Sequence, residues 1–191
     1  FKNDEISMQA FSPGGISLVS DEDFLAANMA VQAVTAGGVA GYDNIQLQKY
    51  VSDKTIRLAP YIGDLDEGMQ GSCAPKDLEV FLQLVHLYMV APRPDEAAFN
   101  SLISRMSAMY ANLLNTPEIF FQIAVPHALY GEHPRRDIAK LFTGMSDIDF
   151  DTAEKIYRDR FADAGEFTFV FVGNFDPETI APMLATYLGT L

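Results

Sequence analysis

Residues 147–191, DIDFDTAEKIYRDRFADAGEFTFVFVGNFDPETIAPMLATYLGTL, read as helix, strand and helix in turn. The middle of the stretch, residues 167–172, is a near-continuous apolar run closed by Gly173-Asn174, the pattern of a short strand. Asp176-Pro177-Glu178 then opens a helix. The aspartate accepts from free N–H groups of the first turn, and proline at the first helical position lacks only a donor that the helix does not use. Upstream, Asp147, Asp149 and Asp151 alternate like the first ligands of an EF-hand loop. Thr152, however, stands where that loop needs glycine, and Arg158 where it needs a bidentate glutamate. These acids therefore read as a helix cap and first-turn charges favoured by the helix dipole.

Working outward, residues 5–12 alternate Ile6, Met8 and Ala10 against Ser7, Gln9 and Phe11, which predicts a two-faced strand ended by Pro13-Gly14-Gly15. Ser20 with Asp23 three residues on predicts the cap of a helix that buries Phe24, Leu25, Met29, Val31 and Val34 and stops at Gly37-Gly38. A shorter helix is predicted over residues 43–51. Residues 55–62 and 67–74 read as two strands joined by Gly63-Asp64-Leu65-Asp66, a hairpin and hence an antiparallel sheet.

Residues 77–90 form a strongly apolar helix, with Phe81, Leu82, Val85 and Met89 as a core stripe, broken by Pro92 and Pro94. An amphipathic helix over 95–114 follows, then one opened by Thr116-Pro117-Glu118 and running to about residue 129. Pro126 predicts a kink or an early end there, and residues 134–142 a further short helix. Hairpin-joined strands beside grouped helices predict an α+β domain, a mainly antiparallel sheet of about four to six strands with helices packed on one face. One domain is expected over residues 1–191.

A chain of 191 residues that is 49% hydrophobic is long enough for one sizeable core. Acids outnumber bases 26 to 13, for a net charge of -13. Such a charge repels phosphate backbones and anionic lipid, which argues against nucleic acid as a partner. No apolar run reaches the roughly 18 residues needed to span a bilayer. The single cysteine, Cys73, permits no internal disulfide. No signal peptide opens the chain, and Phe1-Lys2-Asn3-Asp4 reads as the middle of a fold. A larger multidomain protein is therefore expected, with an N-terminal strand missing here.

The chemistry-bearing residues are sparse. None of His86, His127 and His133 stands four residues from another, so none makes a helical zinc pair, and only Glu132 lies at a ligand spacing. Gly37-Gly38-Val39-Ala40-Gly41 follows a helix and reads as a C-cap and turn, not a phosphate cradle. Nothing basic adjoins Cys73 to activate it. Asp64, Asp66 and Glu67 form either an acid/base cluster or a solvated turn, the latter expected. Arg135-Arg136 is the one compact basic spot. It is suited to a substrate carboxylate, to a neighbouring domain, or to pairing with the chain's own acids.

Several segments together resemble the pitrilysin/insulinase-type zinc metalloproteases: Phe11-Ser12-Pro13-Gly14-Gly15, Gln70-Gly71-Ser72-Cys73, residues 76–94, residues 148–174 and the closing ATYLGTL. The likeness covers nearly the whole chain in order. It is greatest to the non-catalytic third of four homologous domains in the bacterial single-chain proteases, the domain that opens the C-terminal half. Active domains of that family carry H-x-x-E-H on the helix that here reads Asp23-FLAANMAV. The alignment sets Phe24, Ala27 and Asn28 at those three positions. Phe24 and Ala27 offer no ligand atom, and without the glutamate no base activates water. An arginine and a tyrosine that hold substrate in the family's C-terminal half have no counterpart around Gln48 and Thr55.

The resemblance implies a domain without zinc of its own, lining a chamber where an unfolded peptide is held for a zinc site in another domain of the same chain. It also implies, by analogy, the periplasm or cell envelope. An acidic wall is expected to favour basic or neutral peptides. The alternatives are a catalytically inactive homologue that serves as a partner or scaffold subunit, and an enzyme using Asp64 and Asp66.

Overall fold

Every second residue of β1 (Ile6–Pro13) is buried, namely Ile6, Met8, Ala10 and Ser12, while Ser7, Gln9 and Phe11 face away. This two-residue period turns one strand face to a core and leaves the other open. The computed structural model describes residues 4–113, 116–131, 133–136 and 143–191. In it β1 sits inside a four-stranded antiparallel sheet of order β4-β5-β1-β6, with β4 (Ile56–Ile62), β5 (Asp66–Cys73) and β6 (Thr168–Gly173). Among the described residues β4 and β6 are the edges. Pro60 lies in β4, where a missing backbone donor is tolerated.

The helices are α1 (Phe24–Thr35), α2 (Asn44–Val51), α3 (Leu78–Val90), α4 (Glu96–Leu113), α5 (Pro117–Tyr130), α6 (Phe150–Arg160) and α7 (Pro177–Tyr187). α1 packs on α6 and α3 on α7, beneath one face of the sheet. The core joins Met8 and Met69 from the strands to Ala30, Val34, Phe81, Leu82, Val85, Phe99 and Tyr157 from the helices. Tyr157 is fully buried and donates its hydroxyl to the Tyr88 carbonyl at 3.0 Å. Its ring stacks on Phe161 at 4.5 Å, and Phe161 on Phe167 at 5.6 Å. The α+β class, the antiparallel sheet and the one-sided helix layer agree with the expectation.

Aspartates cap four of the α-helices through their side chains, Asp95 among them, accepting from the Ala98 N–H at 3.0 Å ahead of α4. Asp176 accepts from Glu178 N–H, with Pro177 at the first position of α7. Asp149 accepts from Thr152 N–H at 2.8 Å, so the alternating acids serve as cap and first-turn charge. Asp43 and Gln46 form a complete capping box on α2.

The structure departs from the pattern reading in two places. Ser20 bonds Asp23 just ahead of α1 instead of capping it, and the helix begins three residues later. The glycine-rich 37–41 segment, read as a cap and turn, supplies the first strand and the turn of a two-stranded hairpin, β2 (Gly38–Val39) with β3 (Tyr42–Asp43). Strands of two residues carry no periodicity to read. α5 runs through Pro126 to Tyr130, so its extent agrees with the expected end near residue 129 and the early end at Pro126 does not occur. Of the predicted helix over 134–142, residues 134–136 form a turn, and the rest lies outside the described residues.

Candidate functional site

Residues directly opposite in an antiparallel pair share a face, so the register assembles the uncovered side of the sheet. Arg57, Ser72, Ser7 and Val172 form one row across the four strands. Ala59, Gln70, Gln9 and Val170 form the next, and Tyr61, Gly68, Phe11 and Thr168 the third. The centre is hydroxyl and amide, the β6 side apolar. Phe11, Val170 and Val172 are 38%, 43% and 44% exposed, large for strand residues of this size. A cavity of about 780 Å³ is bounded by this face and by Leu47, Gln48 and Val51 of α2.

Two glycines are required where the β4–β5 hairpin meets the turn after β1. A Cβ on Gly68 would lie 2.9 Å from the Tyr61 hydroxyl and 2.0 Å from the Ala10 carbonyl, so a side chain there would displace the Tyr61 ring. Tyr61 donates to Asp66 at 2.9 Å; burial and then that bond raise its pKa above the usual phenol range. Gly15 has φ +62°, and its Cβ would meet the Gly63 carbonyl at 2.3 Å. Only glycine fits there.

Glu67 differs from its expected place in a solvated turn. It is 1% exposed, accepts from the Gly15 N–H, and ties the Pro13-Gly14-Gly15 turn to β5. The strand period explains this, since Glu67 shares the core face with Met69 and Cys73. Asp66 faces Tyr61, so Asp66 and Glu67 point apart and make no paired-carboxylate site.

Phe24, Ala27 and Asn28, the positions expected to correspond to a metal motif, are each committed to the fold. The Phe24 ring is buried beneath the Arg135 guanidinium, 5.5 Å from its centroid. Ala27 is packed in the core, and the Asn28 amide donates to the Phe24 carbonyl at 2.7 Å. Arg135 also pairs with Asp21 at 2.6 Å and donates to the Ile16 and Val19 carbonyls. Its donors are thus spent on its own chain, whereas Arg136 is exposed with its guanidinium over Tyr130.

Among the histidines, His86 contacts the Tyr187 carbonyl at 2.8 Å, while His127 and His133 are exposed. Among the described residues no three metal-ligating side chains cluster. Burial pushes the Cys73 thiol up to about 12, with the Asp77 carboxylate adding to the effect, so the thiol is inert. Sequence reasoning missed Arg57, Gln9 and Gln70 as a set. The available signal was the outward position each holds in its predicted strand.

No family model matches the chain. A zinc protease PQQL-like protein of Arabidopsis thaliana is 24% identical over 194 residues, covering 99% of this chain and 17% of its own length. The periplasmic protease PqqL of Escherichia coli superposes with a TM-score of 0.81 at 16% identity, over 100% of this chain and 21% of that one. The ferredoxin protease FusC, solved in complex with Arabidopsis ferredoxin, gives 0.75 at 17% identity over 98% and 20%. The first half of PqqL alone gives 0.74 at 12% identity, over 98% and 42%. The chain thus spans about a fifth of the length of the full-length relatives it matches.

Proposed function

We propose, from the premise that this chain carries a pitrilysin/insulinase-like peptidase domain, that it is a non-catalytic domain of a zinc metallopeptidase. Its open sheet face holds unfolded peptide for a zinc site in another domain of the same polypeptide. The carrying observation is the fate of the three aligned positions. Phe24 under Arg135, Ala27 in the core and Asn28 on the helix backbone are all occupied by packing. No general base and no metal ligand stands there.

The uncovered sheet has the make-up of a peptide surface, with amides and hydroxyls at its centre and valines on one flank. α5 exposes Phe120, Phe121 and Leu129, each above two-thirds, and supplies the packing surface for a neighbouring domain. The name of one relative, the periplasmic protease PqqL, supports the periplasm as the proposed compartment.

A photo-crosslinking peptide of unfolded sequence tests the reading. Labels on β4, β5 and β6 with the peptide left intact are the expected result. Labels confined to the helical side, or no labelling at all, contradict it.

A further inference from the structure

We infer that Arg57 makes the open sheet face a receptor for an acidic side chain of the bound peptide. The inference rests on the peptide-holding reading above and adds the class of residue that the face selects. Arg57 stands exposed on β4 at the end of the first cross-strand row, with Ser72 and then Ser7 beside it. Arg93, Arg135, Arg158 and Lys54 each pair with an acid of the chain. Arg57 pairs with none among the described residues.

Two acids, Asp4 and Glu5, share a small pocket with Arg57, and neither makes an ion pair with it. Glu5 lines the same cavity and is itself engaged, with Asp4 beside it at the start of the strand. At the far end of the face Asp66 accepts from Tyr61. Of the described residues that line the cavity under this face, Arg57 is the one cation, and its guanidinium is a fork of five donors that matches a carboxylate in two-point geometry. The hydroxyls of Ser72 and, one strand further in, Ser7 add donors along the same row.

The chain as a whole carries -13, which by itself favours basic peptides. Screening confines that field to about 10 Å at ordinary ionic strength, so the nearest charge governs a group lying on the face.

Two unfolded peptides, acetylated and amidated so that no chain terminus is charged, differ only in one central Glu or Gln. Fluorescence anisotropy with the 191-residue chain is expected to show the Glu peptide bound about threefold to fivefold tighter, the range of an exposed ion pair. Arg57→Gln removes that preference, Arg57→Lys keeps part of it, and Arg57→Glu shifts it to a Lys-bearing peptide. Because Arg57 is exposed on an edge strand, the variants keep the wild-type circular dichroism and melting. Equal binding of the Glu and Gln peptides by the wild type, or a preference that survives Arg57→Gln, overturns this inference alone. Failure of every peptide to bind overturns the peptide-holding reading with it.

Discussion

Helices α3 and α5 are near twins in composition and opposites in position. α3, LEVFLQLVHLYMV, buries Leu78, Phe81, Leu82, Leu84 and Val85 under the sheet. α5, PEIFFQIAVPHALY, buries none of its residues and leaves Phe120 and Phe121 each 68% exposed. An apolar helix in water needs a partner face. α3 has β4 and β5 above it and α7 beside it, while α5 finds no such cover among the described residues. Apolar content thus marks surface to be covered, and only the topology says what covers it.

Truncation should separate the two helices most sharply. Phe81→Ala is expected to cost about 3 to 5 kcal/mol in urea unfolding, and Phe120→Ala less than about 0.5 kcal/mol. Equal costs would mean that α5 is buried in the chain on its own. Replacing Phe120 and Phe121 together by Asp should abolish binding of a hydrophobic dye without lowering the unfolding midpoint.

Smaller effects test the polar supports of the covered layer. Tyr157→Phe removes the hydroxyl that satisfies the Tyr88 carbonyl and should cost roughly 1 to 2 kcal/mol. Asp43→Ala, which dismantles the α2 capping box, should cost about 1 kcal/mol, read in the same titration.

The smallest expected signal is pH-dependent. Cys73 is held as a thiol up to about 12 in the folded chain, while the unfolded thiol ionises near its ordinary value. The folded state keeps the proton that the unfolded state loses. Stability from this source is therefore complete below the unfolded value and falls as pH rises from there toward 12. Comparing the alkaline slopes of the wild type and Cys73→Ala isolates it. A thiol reagent should label Cys73 only in denaturant.

Much of the frame was legible because it obeys local periods. The alternation of residues 5–12, the hairpin signal at 63–66 and the capped closing block each correspond to an observed element. The β2–β3 hairpin was not legible, because two-residue strands carry no period. Nor was the fate of Glu67, whose burial follows from its strand face and not from its acidic neighbours. The candidate face was hidden for a different reason. Arg57, Ser72, Ser7 and Val172 become neighbours only through the strand order β4-β5-β1-β6, which places chain-distant segments side by side. The tie from Arg135 to Asp21 and Phe24 is likewise a product of folding.

The domain is proposed to hold peptide without metal chemistry of its own. Elemental analysis of the purified 191-residue chain after exposure to zinc, run beside a cleavage assay on an unfolded peptide, tests this most directly. The predicted result is zinc well below stoichiometric and a peptide left intact. One tightly held zinc per chain, with cleavage that a chelator stops, would contradict it.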